Sequence, residues 1–198
     1  MLEMIKGCYV PKAEQLCEQY EIKENHITAN VSAGKIEEVF QHFICIQTAA
    51  LFFILEIPMN EIEENKLRKS DTDPMHMEVY YIDGLDKETA LVLLMRYSYL
   101  LINDGISRFG FGVQDNSAEI MLDKYNIMTV WSDGSSDYSD FFKAHDIPQT
   151  DKCVTAWDTF SYESAGVSEQ IKVNGKTVYD LPDELKELGI YCAEIREE

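Results

Sequence analysis

Residues 83–113, DGLDKETALVLLMRYSYLLINDGISRFGFGV, decide the fold class of this chain. Apolar residues recur at helical spacing over residues 91–102, so we expect a long, buried helix there. Asp86 stands where an N-cap belongs, and Gly105 stands where a left-handed C-cap would end the helix. Residues 106–113 follow at once and predict a strand. A helix joined so closely to strand sequence indicates a fold that mixes both kinds of element.

The alternation Phe109-Gly110-Phe111-Gly112 is unusual for a strand. Successive side chains of a strand point to opposite faces, so the two phenylalanines share one face and the two glycines share the other. We expect the glycines to let helix 91–102 approach the sheet closely, while the rings pack on the other side. The alternative is that Phe109 and Phe111 are exposed and act as binding anchors. A dinucleotide-binding loop is not indicated, because its third glycine and its following helix are absent from the sequence.

The rest of the sequence predicts helices and strands without a regular βαβ rhythm. Helices are expected at residues 11–21, around 36–44, from Ser136 or Asp137 to His145, and at 182–188; strands are expected at residues 51–57, 77–82, 120–122, 127–131, 154–162, 171–173, 177–179 and 190–195. Asn174-Gly175 predicts a tight hairpin turn. We therefore expect a single α+β domain over residues 1–198, with residues 60–74 as a loop or insertion. Its mostly antiparallel or mixed sheet should be covered on at least one face by the helices around residues 36–44 and 91–102.

The chain is strongly acidic. Its 198 residues carry 17 Lys and Arg against 36 Asp and Glu, which gives a net charge of -19. The excess is spread evenly, with -8 in residues 1–100 and -11 in residues 101–198. A negative surface repels DNA, RNA and anionic lipid but attracts a basic protein. We therefore expect no nucleic-acid partner, and either a basic protein partner or solubility alone explains the acidity.

Other features predict a cytoplasmic protein that has no contact with membranes. The longest apolar run, residues 49–55, is much shorter than the ~20 residues that span a bilayer. The first 13 residues lack the apolar centre of a signal peptide. Five scattered cysteines form no CxxC pair, which predicts reduced thiols.

The sequence gives only weak signals for catalysis, metals or cofactors. The four histidines are far apart and form no HExxH pattern. The acidic segment 133–137 resembles a calcium loop, but Tyr138 and Ala144 stand where such a loop needs Gly and Glu. Neither a phosphate-binding glycine loop nor a nucleophile elbow occurs in the sequence. We therefore expect no catalytic residue, no metal and no cofactor.

Aromatic and acidic residues are interleaved between residues 125 and 160. Tyr and Trp side chains with a carboxylate rim have the composition of a protein-binding face for a basic partner. The same composition also fits a core surrounded by acidic loops. If a partner surface exists here, we expect it to comprise Trp131, Asp133, Asp137, Tyr138, Asp140, Trp157 and Asp158.

Several segments resemble a group of small uncharacterised bacterial α+β proteins. These segments are residues 80–90 (YYIDGLDKETA), 101–105 (LINDG), 109–112 (FGFG), 141–148 (FFKAHDIP) and 156–158 (AWD). The resemblance covers about residues 77–195 and implies no activity. In size, acidity and α+β order the chain is also similar to immunity proteins of bacterial toxin systems. That similarity is one of class and implies no functional residue.

Two functional hypotheses follow. The leading one is a non-catalytic, cytoplasmic protein-binding module, immunity-like, which blocks a basic partner by occlusion and charge complementarity. The alternative is a small hydrolase that binds a divalent cation near Asp133, Asp137 and Asp158. The first predicts exposed aromatic residues with an acidic rim, whereas the second predicts a deep pocket with converging polar groups.

Overall fold

The computed structural model describes residues 1–70, 72–132 and 135–197. Within these residues, eight antiparallel strands form one sheet, here called the large sheet, with the order β10-β5-β4-β6-β7-β8-β3-β2. Its strands are β2 (Gln19–Lys23), β3 (His26–Asn30), β4 (Leu51–Pro58), β5 (His76–Leu85), β6 (Arg108–Val113), β7 (Ala118–Asp123), β8 (Ile127–Ser132) and β10 (Tyr191–Glu197). A separate ribbon pairs β1 (Cys8–Tyr9) with β9 (Val167–Ser168).

The two longest helices cover one face of the large sheet. The helices are α1 (Ala33–Ile46), α2 (Glu61–Leu67), α3 (Lys87–Asn103), α4 (Ser135–Ala144), α5 (Ala156–Thr159) and α6 (Leu181–Glu184). On this side, which we call the helix face, the Phe40 ring of α1 stacks on Phe109 of β6 at 4.6 Å. The helix α4 lies beside α1: the ring of Tyr138 on α4 meets the ring of His42 on α1 edge-on. The α+β prediction, with two longer helices over a mostly antiparallel sheet, is confirmed.

Both ends of α3 lie where the sequence predicts them, but the conformation that ends the helix differs from the prediction. The Asp86 carboxylate accepts a hydrogen bond from the N–H of Thr89 at 2.7 Å, so Asp86 caps the helix. At the other end, the C-cap is Asp104 in an extended conformation, so the predicted left-handed cap at Gly105 is wrong. Gly105 instead lies against the backbone of Gly7, where a Cβ would collide with a carbonyl oxygen. The glycine is therefore needed for close packing of two chain segments.

The strand β6 places its side chains on the opposite faces from those predicted. Phe109 and Phe111 are fully buried on the helix face, so they are not binding anchors. The side-chain positions of Gly110 and Gly112 lie on the face away from the helices. These glycines therefore do not explain the close approach of α3 to the sheet. Instead, side chains of neighbouring strands lie over these glycines, and a Cβ on Gly112 would collide with the ring of Phe52. The glycines therefore make room on the second face of the sheet.

The predicted helix at residues 11–21 is wrong. The chain makes a short 3-10 turn at Ala13–Gln15 and then enters β2. Tyr20 of β2 faces the helix-side core, where its ring lies 4.9 Å from that of Phe142. Burial of this side chain in the sheet outweighs the weak helical pattern of the segment.

The predicted strand at residues 154–162 is also wrong, because α5 lies there. The Asp158 carboxylate accepts a hydrogen bond from the N–H of Thr155 at 2.9 Å and completes a capping box.

Farther along, Asn174 and Gly175 adopt the φ angles of the predicted turn, 53° and 82°. The strands predicted on either side of that turn reduce to a single bridging residue pair.

Two further expectations concern membranes and thiols. None of the described helices is long and apolar enough to cross a bilayer. All five cysteines are free, and Cys8 and Cys153 are buried. Burial raises the pKa of the Cys153 thiol to about 11. That thiol therefore stays protonated and unreactive at neutral pH.

Candidate functional site

The face of the large sheet opposite the helices carries the candidate site. The register places Phe52, Ile54 and Glu56 of β4 on this side, which we call the groove face, with Tyr81 of β5 directly beside Ile54. Phe52, Ile54 and Val79 form a small apolar cluster that is separate from the main core. The groove face therefore has an apolar floor of its own, next to a charged residue of the same strand.

Two adjoining grooves cross this face. The first groove has a volume of about 370 Å³ and the second about 400 Å³. The first is lined by Ile54, Glu56, Tyr81, Arg108, Glu119, Met121, Leu122, Asp123, Thr129, Trp131 and Arg196, and the second by Asn25, Phe52, Asn116, Ser117, Ala118, Glu119, Trp131 and Ser132. Glu119 and Trp131 line both, so the grooves meet at these two residues. Together they offer aromatic surface, carboxylates and two arginines along an extended path.

Glu56 lies in the floor of the first groove and is only 2% exposed. Its Oε1 accepts a hydrogen bond from Nη2 of Arg196, and Nη1 of Arg108 lies 3.7 Å from its Oε2. Among the described residues, Oε2 is buried without a hydrogen-bond partner. Burying a carboxylate costs much free energy unless its oxygens are paired. Oε2 is therefore an acceptor that a ligand's donor group could satisfy.

The two arginines beside Glu56 are held differently. Arg108 of β6 lies directly opposite Glu56 in the register, and its Nε lies 2.9 Å from Oδ1 of Asp123. Arg196 belongs to the edge strand β10, and its side chain is 43% exposed. Its second contact is to Glu194 of the same strand, at 3.7 Å. Arg108 is therefore fixed between carboxylates inside the sheet, whereas Arg196 reaches Glu56 from the edge.

Glu119 and two aromatic residues complete the groove. Burial raises the pKa of the Glu119 carboxyl, the nearby Glu56 raises it further, and Arg196 lowers it. Burial also raises the pKa of the Tyr81 hydroxyl. Trp131 pairs with Glu119 across the sheet and is 37% exposed. Carboxylates beside aromatic faces suit a cation, because the ring faces add to the attraction of the carboxylates.

The residues predicted to contact a partner are spread over different parts of the molecule. Trp131 lies on the groove face, whereas Asp137 and Asp140 are exposed on α4, which packs against α1. Tyr138 is only 1% exposed and belongs to the core, so its ring does not face solvent as a binding anchor would. Burial raises the pKa of its hydroxyl. Asp133 lies outside the described residues.

Trp157 and Asp158 lie on α5. Trp157 is 54% exposed and its ring meets that of Tyr125 edge-on at 5.1 Å. Nζ of Lys152 donates a hydrogen bond to the Asp158 carboxylate at 2.8 Å, and this bond, with the capping contacts to Thr155, lowers the pKa of Asp158 to about 2. Asp158 therefore has a local structural role, and Trp157 is the more available of the two for a partner.

The carboxylates considered for a divalent cation gain no geometric support. The described part of the chain contains no group of three or more His, Cys, Asp or Glu side chains placed to hold a metal ion. Asp137 lies on α4 and Asp158 on α5, where Lys152 already neutralises it. Asp133, the third member of the predicted set, lies outside the described residues.

Glu56, Arg108 and Arg196 were not predicted as site residues. The one available signal was a single acidic residue inside the apolar run 51–57. A charge within a buried strand needs a partner. The sequence does not identify that partner, because Arg196 is 140 residues away along the chain.

Comparison of the chain with protein-family models, with curated proteins and with solved structures gave no match. No relative therefore supplies a residue role, a substrate or a partner. What remains is the chemistry of the groove face: a buried acceptor, an exposed tryptophan and two arginines of unequal exposure.

Proposed function

We propose that this protein is a non-catalytic, cytoplasmic binding module that holds a basic segment of another protein on its groove face. The observation that supports this most is Glu56, a carboxylate in the groove floor with one oxygen that receives no hydrogen bond from the part of the chain that the structure describes. Glu119, Tyr81 and Trp131 line the same groove, which adds a second carboxylate and two aromatic rings. Each of these groups favours a cationic side chain.

The shape of the site favours an extended segment. The two grooves meet at Glu119 and Trp131, so a ligand can follow one into the other. An extended chain directs alternate side chains to the same side. One basic side chain can then lie at Glu56 while a neighbouring apolar group lies on Trp131 or Phe52.

The net charge of -19 supports a basic partner in a second way. A strongly negative protein attracts a positive one over several ångströms and speeds their encounter. When a segment of a partner protein binds in the groove, this protein covers part of the partner's surface. Inhibition by occlusion, as in the immunity-like hypothesis, is the biological role that fits such binding.

Tryptophan fluorescence tests the proposal, because the chain has two tryptophans in different places. The variant Trp157→Phe leaves Trp131, in the grooves, as the single reporter. A short peptide that alternates arginine and glycine should change its emission saturably, and added salt should weaken the binding. A matched peptide of alternating glutamate and glycine should have no effect.

The reciprocal variant, Trp131→Phe, is the control for position. Its remaining reporter, Trp157, lies on α5 and should stay silent when the basic peptide is added. Equal responses from both reporters, or binding that salt does not weaken, would contradict the proposal. A specific, saturable thermal shift with Mg²⁺, Mn²⁺ or Ca²⁺ would instead favour the hydrolase alternative.

A further inference from the structure

Arg196 pairs with Glu56 in the position that the cationic group of a ligand would take. Arg196 lies on β10, the end strand of the large sheet, whose seven residues are all exposed. In the sheet order β5 lies between β10 and β4, so the guanidinium reaches across one strand to meet Glu56. A side chain held in this way can be withdrawn without disturbing the inner strands.

The hydrogen bonding of Glu56 is incomplete while Arg196 is in place. Arg196 satisfies Oε1, and Oε2 lies 3.7 Å from Arg108 without a hydrogen-bond partner in the described residues. A guanidinium that binds a carboxylate in the bidentate arrangement donates to both oxygens at once. The internal contact therefore uses one oxygen of an acceptor that can bind a guanidinium through two.

We propose that the basic segment inserts an arginine side chain which displaces Arg196 and donates to both oxygens of Glu56. This inference rests on the proposed function and names the residue that the groove recognises. Tyr81 lines the same groove and lies on the neighbouring strand β5, so an aromatic ring that favours a guanidinium stands near Glu56. In the free protein Arg196 keeps Glu56 paired, and it competes with the incoming arginine.

Removal of the competitor tests the displacement. In the Trp157→Phe background, Arg196→Ala should bind the arginine peptide about tenfold more tightly than the parent protein, which corresponds to about 1.4 kcal/mol. The control Arg96→Ala removes the same charge from an exposed position on α3, on the helix side of the molecule, and should leave the affinity unchanged. Arg196→Gln, which removes the charge but keeps an aliphatic stem with a polar end, serves as a second variant if the alanine variant folds poorly.

Methylguanidinium tests the recognised group without a peptide. It should raise the melting temperature of Arg196→Ala at concentrations that do not affect the wild-type protein. The double variant Arg196→Ala/Glu56→Gln should lose this stabilisation. Methylammonium should be a weaker stabiliser, because it cannot donate to both oxygens from a planar fork.

The outcomes separate this inference from the proposed function. If the arginine peptide binds at Trp131 but neither Arg196 variant binds it more tightly, the displacement is refuted and the basic-segment proposal stands. If methylguanidinium stabilises Arg196→Ala but no basic peptide binds, Glu56 binds a guanidinium, but the protein-segment proposal fails and the insertion of an arginine by such a segment fails with it. Equal affinity for lysine and arginine peptides would refute the two-oxygen contact.

Discussion

Replacing Asn126 tests how the N-terminal segment is held on the large sheet. Asn126 is fully buried in the turn before β8 and has a positive φ of 65°. Its Nδ2 donates to the carbonyl oxygens of Glu3 and Val31 at 2.9 and 2.8 Å, and its Oδ1 accepts from the N–H of Ile5 at 3.0 Å. Three hydrogen bonds, two of them buried, contribute about 3 kcal/mol at ~1 kcal/mol each. Alanine also disfavours a positive φ by ~1 kcal/mol, so we expect Asn126→Ala to lower the free energy of unfolding by about 4 kcal/mol.

The matched control is Asn116, which has nearly the same φ, 60°, but is exposed. Asn116→Ala should cost only the backbone preference, ~1 kcal/mol. Urea denaturation followed by circular dichroism measures both variants. For a chain of this size, the expected difference of about 3 kcal/mol corresponds to about 6–12 °C in melting temperature. If Asn126→Ala costs no more than Asn116→Ala, the hydrogen-bonding role of Asn126 is refuted.

Three further predictions concern the glycines and two carboxylates. Gly110→Ala should cost about 3 kcal/mol in urea denaturation and Gly112→Ala about 1 kcal/mol, because the first added Cβ meets a backbone oxygen and the second meets the outer end of a side-chain ring; equal costs would contradict this. Since the pKa of Asp158 is lowered to about 2 by its lysine partner, Asp158→Asn should be less stable than the wild type above pH 3.8, and the difference should vanish as the pH falls through about 2. Since burial raises the pKa of Glu119, its charged form opposes folding, so Glu119→Gln should be more stable than the wild type at neutral pH. That advantage should be lost below pH 4.5, and an advantage that persists in acid would contradict the assignment.

Local patterns predicted the elements whose structure is determined by neighbouring residues. The helix period over residues 91–102 and the Asp86 cap gave α3, and the helical pattern around residues 36–44 gave α1. The dense apolar run 51–57 gave β4. In each case, burial of one continuous apolar pattern determines the element type.

The elements predicted wrongly depend on single contacts that the pattern does not contain. Residues 154–162 have strand-like composition, but the capping box of Thr155 and Asp158 starts a short helix there. In β6 the alternation itself was correct. Which face the glycines occupy depends on the pairing of β6 with its neighbours, which a single sequence does not show.

The candidate site was the least predictable part, because it depends on strand pairing that a single sequence does not show. Trp131 lines the grooves, and its role as a binding residue stays a prediction. Glu56, Arg108 and Arg196 come from three strands that are distant in the sequence and meet only in the folded sheet. Their chemistry can be assigned from residue type, but their proximity depends on strand order.

Binding of the arginine peptide to Glu56→Gln and to Glu61→Gln, both in the Trp157→Phe background, would show directly whether the groove is the binding site. Both variants lose one negative charge, but Glu56 lies in the groove floor and Glu61 is exposed on α2. We expect the Trp131 titration to give an affinity at least about tenfold weaker for Glu56→Gln, and an unchanged affinity for Glu61→Gln. Equal affinities for the two variants would show that the peptide is held by the general negative charge, and would contradict a binding site at Glu56.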